Sequence, residues 1–280
     1  MSFIAACVQS TATPDIAHDI RVLTDFIREA AARGARFIAT PEYCAGLDTR
    51  DGKMFPVAFT EAEHPVLPAM QGLAKELKVW LLVGSVGVKA PDGRIFNRSF
   101  MIAPSGAIAA RYDKIHLFDI DLGGGRVYHE SATIAAGKNA VIAPCAEGTI
   151  GLSICYDIRF PHLYRTYAQA GAEMIAAPAA FTRVTGEAHW HVLQRTRAIE
   201  NGAYVISPGQ CGTLSGGAEC FGHSLIVDPW GRVLADGGTE PGIITAEIDL
   251  ALVRQTRSRI PSLTHDRAFS PACLDTAKAS

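Results

Sequence analysis

Short apolar runs alternate with segments of helical periodicity along most of this chain. Phe3–Val8 has the length and composition of a strand. The segment that follows repeats apolar residues at helical spacing, namely Ile16, Ile20, Leu23 and Ile27. Because strands that alternate with helices build layered α/β domains, the pattern predicts an α/β fold with a mixed sheet system.

The domain organisation follows from length and uniformity. The chain has 280 residues, which fits one large domain or two small ones. It shows no linker, repeat, low-complexity segment or break in composition. We therefore expect one domain over residues 1–270. We expect a loose tail over residues 271–280, because the residues from Pro271 onward are polar or small.

The charge balance argues against a general nucleic-acid or membrane partner. Lys plus Arg number 26 and Asp plus Glu number 28, a formal net charge of −2, whereas such partners select a basic surface. The most apolar stretches, Val79–Val88 and Met174–Phe181, are far shorter than the roughly 18–20 residues that cross a bilayer. The N-terminus lacks the basic segment of a signal peptide. We therefore expect a cytoplasmic protein.

Cysteine usage and the common cofactor motifs exclude several classes of site. The odd number and scattered spacing of the cysteines argue against a disulfide framework, and no two form a C-x-x-C zinc motif. Thr133 replaces the second histidine that would complete a zinc-hydrolase motif begun by His129-Glu130. No phosphate-binding glycine loop follows a strand. The seven cysteines are Cys7, Cys44, Cys145, Cys155, Cys211, Cys220 and Cys273.

The most informative segment is Gly151–Pro161, which reads GLSICYDIRFP. A predicted strand ends at Cys155 and a helix begins within a few residues. Such a turn exposes a side chain at the edge of a sheet, where the next backbone N–H groups can bind an oxyanion. From this segment alone, a buried and inert strand cysteine is an equally good interpretation.

Two other residues have the chemistry that a nucleophilic cysteine needs. Glu42 follows the predicted strand Phe37–Thr40, and α/β active sites form where strands end. Lys114 follows a predicted hairpin strand and is flanked by bulky residues. A carboxylate can act as a base, and a cation can stabilise an oxyanion. Taken singly, each is more often a surface residue.

In combination, these segments resemble the nitrilase superfamily of carbon–nitrogen hydrolases. The Glu–Lys–Cys triad of that family matches Glu42, Lys114 and Cys155 in order and approximate spacing. Glu130, in YHES, matches the segment that carries the family's second glutamate. The similarity covers nearly the whole chain, and further matching motifs are AHW at 188–190, RAIEN at 197–201, GHS at 222–224 and VDPWG at 227–231.

The resemblance implies a four-layer αββα sandwich, a homodimer or larger homo-oligomer, and a reaction without metal or organic cofactor. It implies that Cys155 is the nucleophile and Glu42 the general base and acid. Lys114 and the backbone N–H of Tyr156 would stabilise the oxyanion, and Glu130 would orient Lys114 and the substrate.

Within that superfamily the chain resembles the Nit branch of amidases, because RFP follows the cysteine segment and QCG occupies 210–212. The implied substrate is a small primary amide that bears a carboxylate, such as deaminated glutathione or an α-keto acid ω-amide. Arg159 and Arg183 are candidates to bind the carboxylate. A nitrilase or an N-carbamoyl amide hydrolase on the same triad stays open, as do a non-catalytic scaffold and a cysteine redox protein.

Overall fold

The computed structural model describes residues 2–50, 53–125 and 127–270, so the predicted tail over residues 271–280 lies outside the described residues. The strands are β1 (Ser2–Gln9), β2 (Ala35–Ala39), β3 (Leu47–Arg50), β4 (Lys53–Pro56), β5 (Ala58–Phe59), β6 (Trp80–Lys89), β7 (Ile95–Ile102), β8 (Ile108–Asp113), β9 (Asp119–Asp121), β10 (Val127–His129), β11 (Val141–Cys145), β12 (Gly148–Leu152), β13 (Met174–Ala176), β14 (Tyr204–Ser207), β15 (Cys211–Thr213), β16 (Glu219–Phe221), β17 (Leu225–Val227), β18 (Val233–Asp236) and β19 (Gly242–Asp249). The helices are α1 (Ile16–Ala32), α2 (Val66–Leu77), α3 (Pro161–Gln169), α4 (Arg183–Asn201) and α5 (Leu250–Arg259).

Most strands belong to two mixed sheets. The first runs in the order β19-β1-β2-β6-β7-β8, with β5 paired to β6, and the second runs β11-β12-β13-β14-β17-β18. In each sheet two parallel pairs form the centre, and antiparallel strands flank them. The carboxyl ends of parallel strands share one edge of a sheet, so both sheets provide a place for a site.

The side chains of β1 show how the layers are stacked. Ala5 and Cys7 belong to a core cluster shared with the second sheet and with α3 and α4. Ala6 and Val8, on the opposite face, belong to a cluster shared with α1 and α2. Because successive strand residues point to opposite faces, the two sheets pack on each other and helices cover the outer faces. The predicted αββα sandwich is confirmed.

The predicted strand that was to reach Cys155 ends earlier, at Leu152. The segment 117–137 contains β9, β10 and a 3-10 helix at Glu130–Ala132. Helix α1 is capped by Asp15, whose Oδ1 accepts from the N–H of His18 at 3.0 Å. The hydroxyl of Thr13 donates to Asp19. Among the described residues, no helix is long and apolar enough to cross a membrane.

Candidate active site

The turn after β2 carries Glu42 and is held by contacts with β6 and with the segment that follows β14. Tyr43, next to it, has a φ of 48° and donates its N–H to Ser85 Oγ at 2.8 Å. Gln210, in the segment between β14 and β15, donates to the carbonyls of Glu42 and Tyr43 at 3.0 and 2.9 Å. A Cβ added to Gly84 would lie 1.9 Å from the carbonyl oxygen of Thr40, so glycine is required there. These contacts fix the direction of Glu42.

The carboxylate of Glu42 is buried and accepts three hydrogen bonds. Oε1 accepts from Asn97 Nδ2 at 2.8 Å and from Lys114 Nζ at 3.0 Å. Oε2 accepts from the N–H of Ala180 at 2.7 Å. An ionised carboxylate can accept from all three donors at once, and such charge-assisted bonds are strong.

Lys114 lies between two carboxylates. Its ammonium is 3.0 Å from Glu42 Oε1 and 3.0 and 2.9 Å from the two oxygens of Glu130. Glu130 also accepts from the N–H of Phe118 at 2.6 Å. Lys114 is 2% exposed, so its charge is compensated by side chains rather than by solvent.

Cys155 begins a 3-10 helix, Cys155–Arg159, three residues after β12. Its φ is 48°, in the left-handed region, and its N–H donates to the carbonyl of Pro178 at 2.8 Å. A non-glycine residue held at positive φ indicates a backbone shaped by its surroundings, which is common at functional sites. None of the described residues accepts a hydrogen bond from the backbone N–H of Tyr156, so this donor is available.

Asp157 is a residue whose importance the sequence reasoning missed. Its Oδ2 accepts from the N–H of Ile154 at 2.9 Å and from Tyr112 Oη at 2.7 Å. Its Oδ1 accepts from the N–H of His116 at 3.0 Å and lies 2.7 Å from His116 Nδ1. Tyr112 and His116 flank Lys114, and Ile154 precedes Cys155. This fully buried carboxylate therefore connects the turn at 154–157, called here the cysteine turn, to the segment 112–116, called here the lysine segment. Only its position two residues after the cysteine could have suggested this.

The electrostatics of the group favour a neutral thiol. Burial raises the pKa of Cys155 well above its usual range, and the Glu42 carboxylate raises it further, while Lys114 lowers it. Burial acts to lower the pKa of Lys114, but Glu130 and Glu42 outweigh it and the pKa is raised. Burial also raises the pKa of Glu130, and the nearby Lys114 opposes this. Lys114 alone therefore does not produce a thiolate.

The four side chains open onto one cavity of about 390 Å³, called here the Cys155 cavity. Its volume lies within the range of small-molecule sites. Most of the wall is apolar or aromatic, and Cys155, Glu42, Lys114 and Glu130 contribute polar groups to it. The other lining residues are Tyr43, Lys53, Met54, Phe55, Phe118, Tyr128, His129, Ala132, Thr133, Ile134, Ala180, Phe181, Thr182 and Thr185.

The family profile described as carbon-nitrogen hydrolase matches residues 4–258. This chain belongs to the carbon-nitrogen hydrolase family. Deaminated glutathione amidase from Synechocystis sp. is 40% identical over 268 residues, which cover 94% of this chain and 97% of that protein. Omega-amidase NIT2 from Homo sapiens is 35% identical over 267 residues, covering 95% of this chain and 96% of that protein.

Solved structures show the same relationship. Saccharomyces cerevisiae Nit3, described as a member of branch 10 of the nitrilase superfamily, superimposes with a TM-score of 0.84 at 29% identity. That match covers 96% of this chain and 97% of Nit3. The Caenorhabditis elegans NitFhit protein gives a TM-score of 0.85 at 30% identity, covering 95% of this chain and 65% of that one. The resemblance of this hydrolase to the Nit branch is confirmed.

The two arginines considered for the carboxylate lie near the Cys155 cavity but do not line it. Arg159 lies over the rings of Tyr156 and Phe181, at 5.8 and 5.6 Å from their centres. Arg183 is ion-paired with Glu187 at 3.2 Å and with Glu219 at 3.4 Å. It lines a neighbouring cavity of about 240 Å³.

Lys53, on β4, lines both cavities and was not considered from the sequence. No carboxylate among the described residues lies within 4 Å of its ammonium. The only sequence signal was its place at the end of the polar segment 48–53, which does not distinguish it from an ordinary surface lysine.

Proposed function

We propose that this hydrolase converts a small primary amide that bears a carboxylate into the acid and ammonia, through a thioester on Cys155. Deaminated glutathione and an α-keto acid ω-amide are the proposed substrates, in keeping with the names of the relatives in Synechocystis sp. and Homo sapiens. The observation that carries the proposal is the contact of Lys114 with Glu42 and Glu130 in the wall of the cavity that also holds Cys155.

Acylation begins with a proton transfer from Cys155 to Glu42. Because its surroundings raise the pKa of the Cys155 thiol, the thiol is protonated at rest and needs a base as it attacks. The sulfur forms a bond with the amide carbon, and the carbonyl π electrons move to oxygen. General base help of this kind contributes about 10²–10⁴ in rate.

The oxyanion of the tetrahedral intermediate is stabilised by Lys114 and by the N–H of Tyr156. Loss of one comparable donor costs roughly 2.7–4 kcal/mol in the barrier. Glu130 holds the lysine in place through two contacts. Lys114 is thus an oxyanion donor more than an activator of the thiol.

Collapse of the intermediate needs a proton on the leaving nitrogen. Glu42 returns the proton it took from the thiol, the C–N bond breaks and ammonia departs. Glu42 then removes a proton from water as the hydroxyl attacks the thioester. When this second intermediate breaks down, the proton returns to sulfur, and the carboxylic acid and free Cys155 are restored. One amide and one water yield one acid and one ammonia.

We assign recognition of the substrate carboxylate to Lys53 in preference to Arg159 and Arg183. Lys53 lines the Cys155 cavity, whereas the charge of Arg183 is already balanced by Glu187 and Glu219. The apolar wall would hold the carbon chain between the amide and the carboxylate. Lys53→Met should raise KM for an anionic amide and leave KM for a neutral amide unchanged.

We further propose that the protein is a cytoplasmic homodimer formed through the outer face of α4. Val192, Ile199 and Trp230 are each more than half exposed there, and an exposed apolar patch marks an interaction surface. The six described cysteines are free and buried, which suits a reducing compartment. Light scattering of Trp230→Glu tests the interface: a variant that stays dimeric would contradict it.

The test of function is ammonia release from five compounds. They are deaminated glutathione, α-ketoglutaramate, a simple aliphatic amide, a nitrile and a carbamoyl amino acid, each assayed with the natural chain and with Cys155→Ala. We expect turnover of one of the first two, absent in Cys155→Ala, and a covalent adduct on Cys155 by mass spectrometry. Preferred turnover of the nitrile or the carbamoyl compound would replace the amidase proposal.

A further inference from the structure

A second group of polar side chains lies outside the Cys155 cavity, on the face where α4 meets the second sheet. It comprises His191 of α4, His223 just before β17 and Asp236 at the end of β18. We propose that these three residues bind a divalent transition-metal ion, with zinc as the best fit. The proposal is independent of the amidase reaction, in which none of the three takes part.

The geometry is close to that of a metal site. His191 Nε2 lies 2.9 Å from Asp236 Oδ2, and His223 Nδ1 lies 2.9 Å from Asp236 Oδ1. One donor atom from each residue falls within 4.8 Å of the other two. Zinc bonds of about 2.0–2.1 Å at tetrahedral angles require donors about 3.4 Å apart. Small side-chain rotations would therefore admit the ion, with solvent as the fourth ligand.

His223 is held in position by its neighbours. Its φ is 51°, and its N–H donates to the carbonyl of Gly238 at 2.6 Å. Its carbonyl accepts from Trp190 Nε1 at 2.7 Å. The ring stacks on Phe221 with centres 4.5 Å apart. A donor fixed in this way loses little freedom when it binds an ion, which favours affinity.

The chemistry of the donor set selects the ion. Two imidazole nitrogens and one carboxylate suit zinc and its neighbours in the first transition series, whereas calcium and magnesium prefer oxygen donors. Each neutral imidazole would move its proton to the other ring nitrogen, so that a lone pair faces the ion. Among the described residues, no arginine or lysine forms an ion pair with Asp236, so no fixed cation competes for the carboxylate.

The test is zinc binding by calorimetry, using untagged protein in a non-chelating buffer. Every chain carries Cys155→Ala, because the reactive thiol could itself bind zinc. His191→Ala removes one donor atom, and Asp236→Asn removes the negative charge of the carboxylate. His18→Ala is the control because it removes an exposed imidazole of α1. Cobalt absorption on the same chains reports the coordination geometry.

We expect one zinc ion per chain in the parent and in the His18→Ala control. The dissociation constant should rise at least tenfold in His191→Ala and in Asp236→Asn. Zinc should raise the melting temperature of the parent but not that of His191→Ala. Position 191 is half-buried on α4, so urea unfolding of His191→Ala without zinc is measured first to establish that this variant is folded. Equal affinity in parent and His191→Ala, or no binding by the folded parent, would overturn the proposal and leave a hydrogen-bonded cluster only.

Discussion

Substitution of Asp157 by asparagine tests how the cysteine turn and the lysine segment are joined. The natural carboxylate accepts from two donors on each oxygen: Ile154 and Tyr112 on Oδ2, and the backbone and ring of His116 on Oδ1. Asparagine has nearly the same shape but only one acceptor oxygen. In either orientation its NH₂ group faces two of these donors.

The loss of stability in Asp157→Asn depends on which of the four donors can form a hydrogen bond with the new NH₂ group. The Tyr112 hydroxyl can rotate to accept, and the His116 ring can change tautomer, but a backbone N–H can do neither. One buried N–H therefore loses its acceptor in each orientation, which costs about 1–3 kcal/mol. The remaining bonds also lose their charge-assisted character. We expect the free energy of unfolding to fall by about 2–4 kcal/mol.

Activity should fall with stability, because Asp157 positions both the turn of Cys155 and the segment of Lys114. A displacement near 1 Å at reacting groups can cost about 10²-fold in rate, so we expect a decrease of that order in kcat/KM. The assays are urea unfolding and ammonia release at a temperature where the variant stays folded.

Asp228→Asn is the matched control. Asp228 is also buried, and one of its oxygens, Oδ1, accepts from the backbone N–H groups of both Trp230 and Arg232. An asparagine oxygen preserves both bonds, and only the ion pair with the exposed Arg232 is lost, worth at most about 1 kcal/mol. If Asp157→Asn matched this control in stability and kcat/KM, the proposed joining role would be refuted.

Three further perturbations have expected outcomes. Glu42→Gln should lower kcat by about 10²–10⁴, because the proton carrier is lost; rapid thioester formation in mass spectrometry would contradict this. Lys114→Met leaves the buried carboxylate of Glu42 and the partly buried carboxylate of Glu130 without their cation, and it should lower the free energy of unfolding in urea by about 3–5 kcal/mol. At lower pH the difference in free energy of unfolding between Lys114→Met and the natural chain should become smaller. The reason is that the raised pKa of Glu130 allows the folded variant to take up a proton. Burial lowers the pKa of His64 from 6.5 to about 4. Between these two pKa values His64 binds a proton in the unfolded chain but not in the folded chain. The free energy of unfolding therefore decreases as the pH is lowered, by about 2 kcal/mol from pH 7.5 to pH 5. This pH-dependent decrease in the free energy of unfolding should be absent in His64→Gln. If the free energy of unfolding of His64→Gln depended on pH as in the natural chain, His64 would be excluded as the source.

The strand and helix pattern was predictable because it depends on neighbours in the chain. The first strand, the helix after it and the hairpin of β7 and β8 follow from apolar spacing and from turn residues. The same reasoning placed the end of β12 too late, at Cys155. It failed there because the positive φ of Cys155 depends on contacts with another strand end, including the hydrogen bond to Pro178.

The candidate site was predictable in its members but not in its electrostatics. Glu42, Lys114, Cys155 and Glu130 could be selected from ordered motifs, and the structure brings all four to one cavity. The raised pKa of the Cys155 thiol could not be predicted. The pKa of this group depends on its burial and on the separation of two carboxylates and one ammonium, which motif spacing does not contain.

By itself, the sequence determined the family, the alternation of strands and helices, and the choice of candidate site residues, because each depends on residue type and on the order of residues along the chain. Tertiary structure alone decided that Asp157 joins two distant segments, that Lys53 rather than an arginine lines the cavity, and that two histidines meet Asp236. The physical reason is the same in each case: these contacts join residues far apart in the chain. Their distances are set by how the two sheets and α4 pack.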